Sequence, residues 1–272
     1  MSDSTYSGQP DRLDRAVAAS AGVSRAAARR LIAAGSLFLN GQRCKVASRM
    51  VRSGDRLRVA TAQPERPVLP PLPIIHEADG VIAIDKPAGM PSTPTQQSAD
   101  GTALTVLEGQ LAARPGPTPR LWVVHRLDAA TSGVLVFATT RAAAAQLSEA
   151  FRQQRVHKRY LAVIATLPAA AAGEIDLALR RAAGRALIDP AGKPAQTSWR
   201  MRERRGAGAL LEVAPRSGRM HQIRAHLAAI GHPIVGDRLY GGLAAPRLML
   251  HATAVMLPFG DGEVTIEAAA PF

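Results

Sequence analysis

Apolar positions along this chain follow two rhythms, and the change between them divides it. Near the start they fall in helical register. Leu13 and Val17 mark a first helix, and Ala27, Ala28, Leu31 and Ile32 form a stripe on a second. Such spacing stacks side chains on one face of a 3.6-residue turn. Ser24 stands where an N-cap is wanted and Gly35 where the C-terminal cap belongs. Arg25, Arg29 and Arg30 fall mainly off the stripe. Leu37-Phe38-Leu39 reads as a strand, Asn40-Gly41 as a hairpin turn, and Gly54-Asp55 as a turn into a strand at Arg56–Val59. Residues 11–60 therefore predict one small α/β module. The polar segment 1–10 ahead of it is expected to be a flexible tail.

The pattern stops at 61–73. Pro64, Pro67, Pro70, Pro71 and Pro73 exclude helix and central strand, so this stretch is expected to be a stiff, extended linker. From 74 to 272 strands outnumber helices. Strands are expected at 74–76, 81–84, 160–166, 195–203, 208–215, 249–257 and 263–268, with a wholly apolar one at Val134–Ala138. Helices are expected at 102–112, 142–151 and 220–230, the last closed by Gly231. The two element types do not alternate. That predicts an α+β domain with a mostly antiparallel mixed sheet and flanking helices, not a doubly wound parallel one.

Charge narrows the partner. Thirty-four Lys and Arg against 21 Asp and Glu give a net charge of +13, which favours a polyanion, nucleic acid before anionic membrane. Aromatics make up 4%, too few for long stacking tracts on single strands, so local, shape-based contact with RNA fits better. A single cysteine, Cys44, excludes an intrachain disulfide and a thiolate metal cluster. No secretion signal is apparent at the start, and no apolar run reaches the ~18 residues of a membrane span. The expectation is a cytoplasmic protein without membrane attachment.

Chemistry is concentrated in His125-Arg126-Leu127-Asp128-Ala129-Ala130-Thr131-Ser132-Gly133, just before the apolar strand. A strand is a rigid anchor, and the turn before it can hold one acid, Asp128, at the rim of a cleft. Three further segments accompany it: Lys158 to Val163, Pro215 to Leu227 and Gly231 to Gly241. Two shorter phrases are Asp85-Lys86-Pro87-Ala88-Gly89 and Gly192 to Thr197. In this order they resemble the motifs of the RluA-type pseudouridine synthases over nearly all of residues 74–272. Residues 11–60 resemble the small RNA-binding domain named after ribosomal protein S4. That second resemblance rests on Arg12-Leu13-Asp14, Ser24-Arg25, Gly35 to Gly41 and Gly54-Asp55.

The first resemblance implies a pseudouridine synthase fold and conversion of uridine in RNA to pseudouridine, without cofactor or metal. It implies that Asp128 is the catalytic acid, acting as a nucleophile or as a base on the sugar, and that Arg224 pairs with it. Tyr160 would pack against the target base, and Arg126 would help stabilise the vacated position of a flipped nucleotide. The second implies RNA contact by Arg25, Arg29, Arg30 and Lys45. Together they point to large-subunit ribosomal RNA and, by default, a monomer. His125, His221 and His226 lack neighbouring ligand spacing and read as structural hydrogen-bonding residues. Asp237 reads as a loop organiser. Departures are small: Ser217 stands where threonine is commoner, and Ala129 and Ala130 follow the acid. The competing expectations are a catalytically silent RNA-binding or ribosome assembly factor, a synthase acting on tRNA, and a hydrolase. The last normally needs two facing carboxylates.

Overall fold

The computed structural model of the chain describes residues 2–60, 69–94, 101–259 and 262–272. It comprises two compact units, the second beginning at Leu69. The linker prolines Pro64 and Pro67, and part of the polar loop before Gly101, lie outside the described residues.

The first unit contains β1 (Ser2–Thr5), β2 (Asp11–Arg12), α1 (Leu13–Ala21), α2 (Arg25–Ala33), β3 (Leu37–Leu39), β4 (Gln42–Arg43), β5 (Met50–Val51) and β6 (Arg56–Val59). One sheet runs β1-β6-β3-β4, and β2 pairs with β5. Residues 2–5 correct the expected flexible tail: they pair antiparallel with β6, from Ser2 opposite Val59 to Thr5 opposite Arg56. Hydropathy is blind to this, because backbone groups of a polar segment complete an open strand edge. The Ser24 hydroxyl accepts from the Ala27 amide at 3.2 Å, as a cap should. Asn40 and Gly41 both have positive φ, which a two-residue hairpin turn requires.

Leu13, Val17, Ala28, Ile32, Leu37 and Leu57 form the core of this unit. Asp14 is buried among them. Its carboxylate accepts hydrogen bonds from the Nε atoms of Arg12 (3.3 Å), Arg25 (3.0 Å) and Arg29 (2.7 Å). Burial alone would raise its pKa, but the three guanidinium groups outweigh that and hold it well below the usual carboxylate range. Two of the arginines expected at RNA thus also pin α2 to α1.

The second unit contains β7 (Ile74–Ala78), β8 (Val81–Lys86), α3 (Ala103–Ala112), β9 (Trp122–Val123), β10 (Ser132–Ala138), α4 (Arg141–Arg152), β11 (His157–Ile164) and β12 (Ala172–Asp176). There follow β13 (Leu179–Ala182), β14 (Arg185–Ile188), β15 (Gln196–Arg205), β16 (Gly208–Pro215), α5 (Gln222–Ala229), β17 (Leu250–Phe259) and β18 (Gly262–Glu267). Ten strands share one sheet, ordered β12-β15-β16-β11-β17-β10-β8-β7, with β18 on β17 and β9 on β10. Only β10 with β17 runs parallel among the described pairings of that sheet. The expected α+β architecture is present. Unforeseen were β12 and the β13–β14 hairpin, whose strands are too short and arginine-rich to show an apolar rhythm.

Strand β10 is buried throughout. Val134, Val136 and Ala138 pack with Ala143, Leu147 and Ala150 of α4, while Leu135 and Phe137 pack with Leu107 and Leu111 of α3. Both faces are covered by helices, so the strand reads as an unbroken apolar run. Gly133, its second residue, has φ +110, where an added β-carbon would stand 2.2 Å from the Ala252 carbonyl oxygen. This close approach to β17 admits only glycine, just after the Asp128 turn.

Candidate active site

The turn carrying Asp128 is clamped from three sides. Leu127 and Ser92 exchange two hydrogen bonds: the Leu127 amide donates to the Ser92 hydroxyl at 3.0 Å, and the hydroxyl donates to the Leu127 carbonyl at 2.7 Å. Lys86 is fully buried, and its ammonium donates to the carbonyls of Pro87 (2.8 Å), Met90 (2.8 Å) and Ala129 (3.2 Å). Burial pushes the Lys86 pKa down to about 8. On the other side the Val136 amide donates to His125 Nε2 at 2.9 Å, and the His125 ring stacks on Phe151. The phrase Asp85 to Gly89 therefore bears on the acid through the loop that it ties down.

Asp128 opens into a cleft of about 1130 Å³. Arg126 and Tyr160 line it too, as do Arg152, Lys158, Arg181, Arg216 and Arg219. Six basic side chains thus face one acid among the described lining residues. Such a cavity attracts a polyanion and keeps a single carboxylate for chemistry. The Asp128 side chain is 27% exposed, so it is reachable. Tyr160 follows a register shift in β11 between Arg159 and Tyr160, a bulge that aims its side chain locally. Burial, reinforced by the Asp128 charge, pushes its phenol pKa well above the ordinary value, so the hydroxyl stays neutral. Lys158, driven down to about 8 by burial, donates to the Ser217 carbonyl at 3.1 Å.

Arg224 does meet Asp128, with Nη1 3.8 Å from Oδ2. Its short bonds go elsewhere: Nε and Nη2 each lie 2.7 Å from an oxygen of Asp237. Asp237 also accepts from the amides of Leu239 (3.2 Å) and Tyr240 (3.3 Å). It is therefore the loop organiser expected, and in addition it aims Arg224. Burial alone would lower the Arg224 pKa, but the two bonds from Asp237 and the nearby Asp128 raise it. A permanent cation is thus held against the catalytic candidate.

His226 is structural as expected, bonded to Thr197 Oγ1 and the Leu177 carbonyl, both at 2.9 Å. His221 is not merely so. It lines the cleft, and its Nε2 lies 3.8 Å from Asp128 Oδ2. Sequence reading missed this because the helix position of His221 says nothing about a turn nearly a hundred residues earlier. Arg181 was missed with its hairpin. Arg25, Arg29, Arg30 and Lys45 belong to the first unit. There Arg58 also sits over the Phe38 ring at 4.5 Å, beside a hollow lined by Asn40, Gly41, Arg56 and Arg58.

Residues 80–229 match the RNA pseudouridylate synthase family, and residues 11–57 match the S4 domain. The chain is 42% identical over 194 residues to ribosomal large subunit pseudouridine synthase D of Xylella fastidiosa, covering 69% of this chain and 57% of that protein. It is 33% identical over 282 residues to an uncharacterized RNA pseudouridine synthase of Mycobacterium bovis, covering 96% of this chain and 90% of that one. The solved structure of human RNA pseudouridylate synthase domain containing 1 superposes with a TM-score of 0.62 at 27% identity, covering 74% of this chain and 84% of that one. This chain belongs to the RNA pseudouridylate synthase family and carries an S4 domain at its N-terminal side.

Proposed function

We propose that this protein isomerises uridine to pseudouridine in large-subunit ribosomal RNA, with Asp128 as the catalytic group. The observation that carries the reading is one reachable carboxylate in a cleft lined, among the described residues, by six Lys and Arg side chains. The name of the Xylella relative supports the choice of RNA. The target base is detached from C1′, turned, and rejoined through C5. Atoms and electrons balance within the nucleotide, so no cofactor is needed. The Asp128 carboxylate can attack C1′ or withdraw a proton from the sugar. Arg224, fixed by Asp237, sets a positive charge 3.8 Å from that carboxylate. Tyr160, held neutral, offers its ring to the uracil, and Arg126 stands beside the acid to fill the space left by the extruded nucleotide. Asp237 is no second acid of the glycosidase kind, because it is 1% exposed and both of its oxygens are bound to Arg224.

Residues 11–60 serve as the RNA-binding module, 61–73 as the linker and 74–272 as the catalytic domain. The protein works as a monomer in the cytoplasm. The test is Asp128→Asn. Tritium release from RNA labelled at uracil C5 should vanish while RNA affinity changes little, and full activity in the variant ends the assignment of Asp128. Mapping pseudouridines in ribosomal and transfer RNA with and without the gene tests the substrate. A site lost only from tRNA refutes the ribosomal choice. Binding without any modification would favour an assembly factor, and release of free uracil a hydrolase.

A further inference from the structure

We infer that His221 reads the sugar of the target nucleotide, its Nε2 accepting a hydrogen bond from the ribose 2′-hydroxyl. The inference rests on the proposed placement of Asp128 against C1′.

The argument begins with Tyr240. Its hydroxyl accepts from the Ala186 amide at 2.8 Å and donates to the Ala186 carbonyl at 3.0 Å. The phenolic proton is thereby used. The same hydroxyl lies 3.2 Å from His221 Nδ1, and the arrangement that satisfies all three groups has it accept there, which assigns the proton to Nδ1. A neutral imidazole has a single N–H, and Nε2 is left with its lone pair. Burial favours the neutral ring and, with help from the Arg224 charge, outweighs the opposing pull of Asp128 and Asp237.

A second acceptor stands near that lone pair. Nε2 and Asp128 Oδ2 are 3.8 Å apart, too far for a hydrogen bond, and both residues line the cleft. Two acceptors sharing one niche call for a donor between or beside them. Beside C1′ a ribonucleotide has one such group, the hydroxyl on the adjoining C2′. The uracil N3–H lies across the ring from the glycosidic bond. The 2′-hydroxyl also separates RNA from DNA, so a residue bound to it sets the class of nucleic acid accepted.

The backbone supports the assignment independently. His221 is the N-cap residue of α5 and makes no side-chain cap bond. It keeps a left-handed φ of +51, a conformation that costs a non-glycine residue energy. An N-cap side chain ordinarily serves the first-turn amides of its helix. This one is turned into the cleft.

The test uses the full-length protein and an oligonucleotide carrying the uridine that it modifies, made with ribose or with 2′-deoxyribose at that one position. The reading is the ratio of kcat/KM between the two sugars, compared across variants, so the electronic effect of removing the oxygen cancels. Wild type should prefer ribose by roughly tenfold through this bond. His221→Asn places a polar group near Nδ1 and none near Nε2, and asparagine tolerates positive φ. Its ratio should fall roughly tenfold below that of wild type. His221→Gln reaches the position of Nε2 and should restore most of the preference. An unchanged ratio in His221→Asn overturns the inference, and so does an equal fall in both variants, the signature of a merely structural histidine. A wild type inert on the ribose oligonucleotide sinks the reading of Asp128 as well. An active wild type with an insensitive His221→Asn sinks this inference alone.

Discussion

The pair Arg224–Asp237 makes the sharpest prediction about stability. Asp237 has a fully buried side chain and Arg224 one that is 9% exposed, joined by two bonds of 2.7 Å. Asp237→Asn keeps the shape and the carbonyl oxygen but removes the charge. It turns an amide N–H toward a guanidinium that has only donors to offer. Each charge-assisted bond is worth about 1.5–3 kcal/mol net, and breaking a buried pair costs about 3–5 kcal/mol. One acceptor survives, so about 3 kcal/mol is expected. For a unit of this size that corresponds to a fall of roughly 6–12 °C in melting temperature. Thermal unfolding of the full chain, followed by calorimetry, measures it. Activity should fall as well, on the order of tenfold or more in kcat, because Arg224 loses the anchor that aims it at Asp128. A melting temperature within ~2 °C of wild type would refute the reasoning, since it would mean that the buried cation needs no fixed anion.

Two further predictions concern other parts of the molecule. Asp14, whose folded pKa lies below the value of 3.8 it has when free, stabilises the first unit above about pH 4, and that contribution drains away as pH falls through the unfolded pKa and below. Protection factors of the amides in α1 and α2, corrected for the intrinsic exchange rate, should therefore fall between pH 4 and pH 2 by more in wild type than in Asp14→Asn; equal acid sensitivity would show that the three arginines contribute nothing there. Gly133→Ala should destabilise by at least ~3 kcal/mol, since it adds a backbone clash to a left-handed φ, whereas Gly184→Ala, at φ +78 with open space around it, should cost about 1 kcal/mol. Similar urea midpoints for the two variants would contradict the close approach of β10 and β17.

The architecture was legible where local rules act alone. Ser24, Gly35 and Asn40-Gly41 did as caps and turns what their side chains and φ preferences dictate. Strand β10 announced itself because both faces are buried, leaving no polar residue to interrupt the run. Strand β1 did not, since its pairing is made by backbone groups that every sequence possesses. The β13–β14 hairpin also escaped, although it carries Arg181 to the cleft and Ala186 to Tyr240.

What the chain alone determined was the identity of the chemical groups: one acid in the turn before an apolar strand, a tyrosine, an arginine and a surplus of positive charge. Contacts across long separations were decided only by the tertiary structure. It gave Arg224 to Asp237 first and Asp128 second, turned a helix-capping histidine toward the acid, and spent three arginines, two of them expected at RNA, on the buried Asp14. The reason is that a charge removed from water must find its partner wherever packing brings one, and that choice depends on distances through space, which hydropathy and spacing along a sequence do not encode.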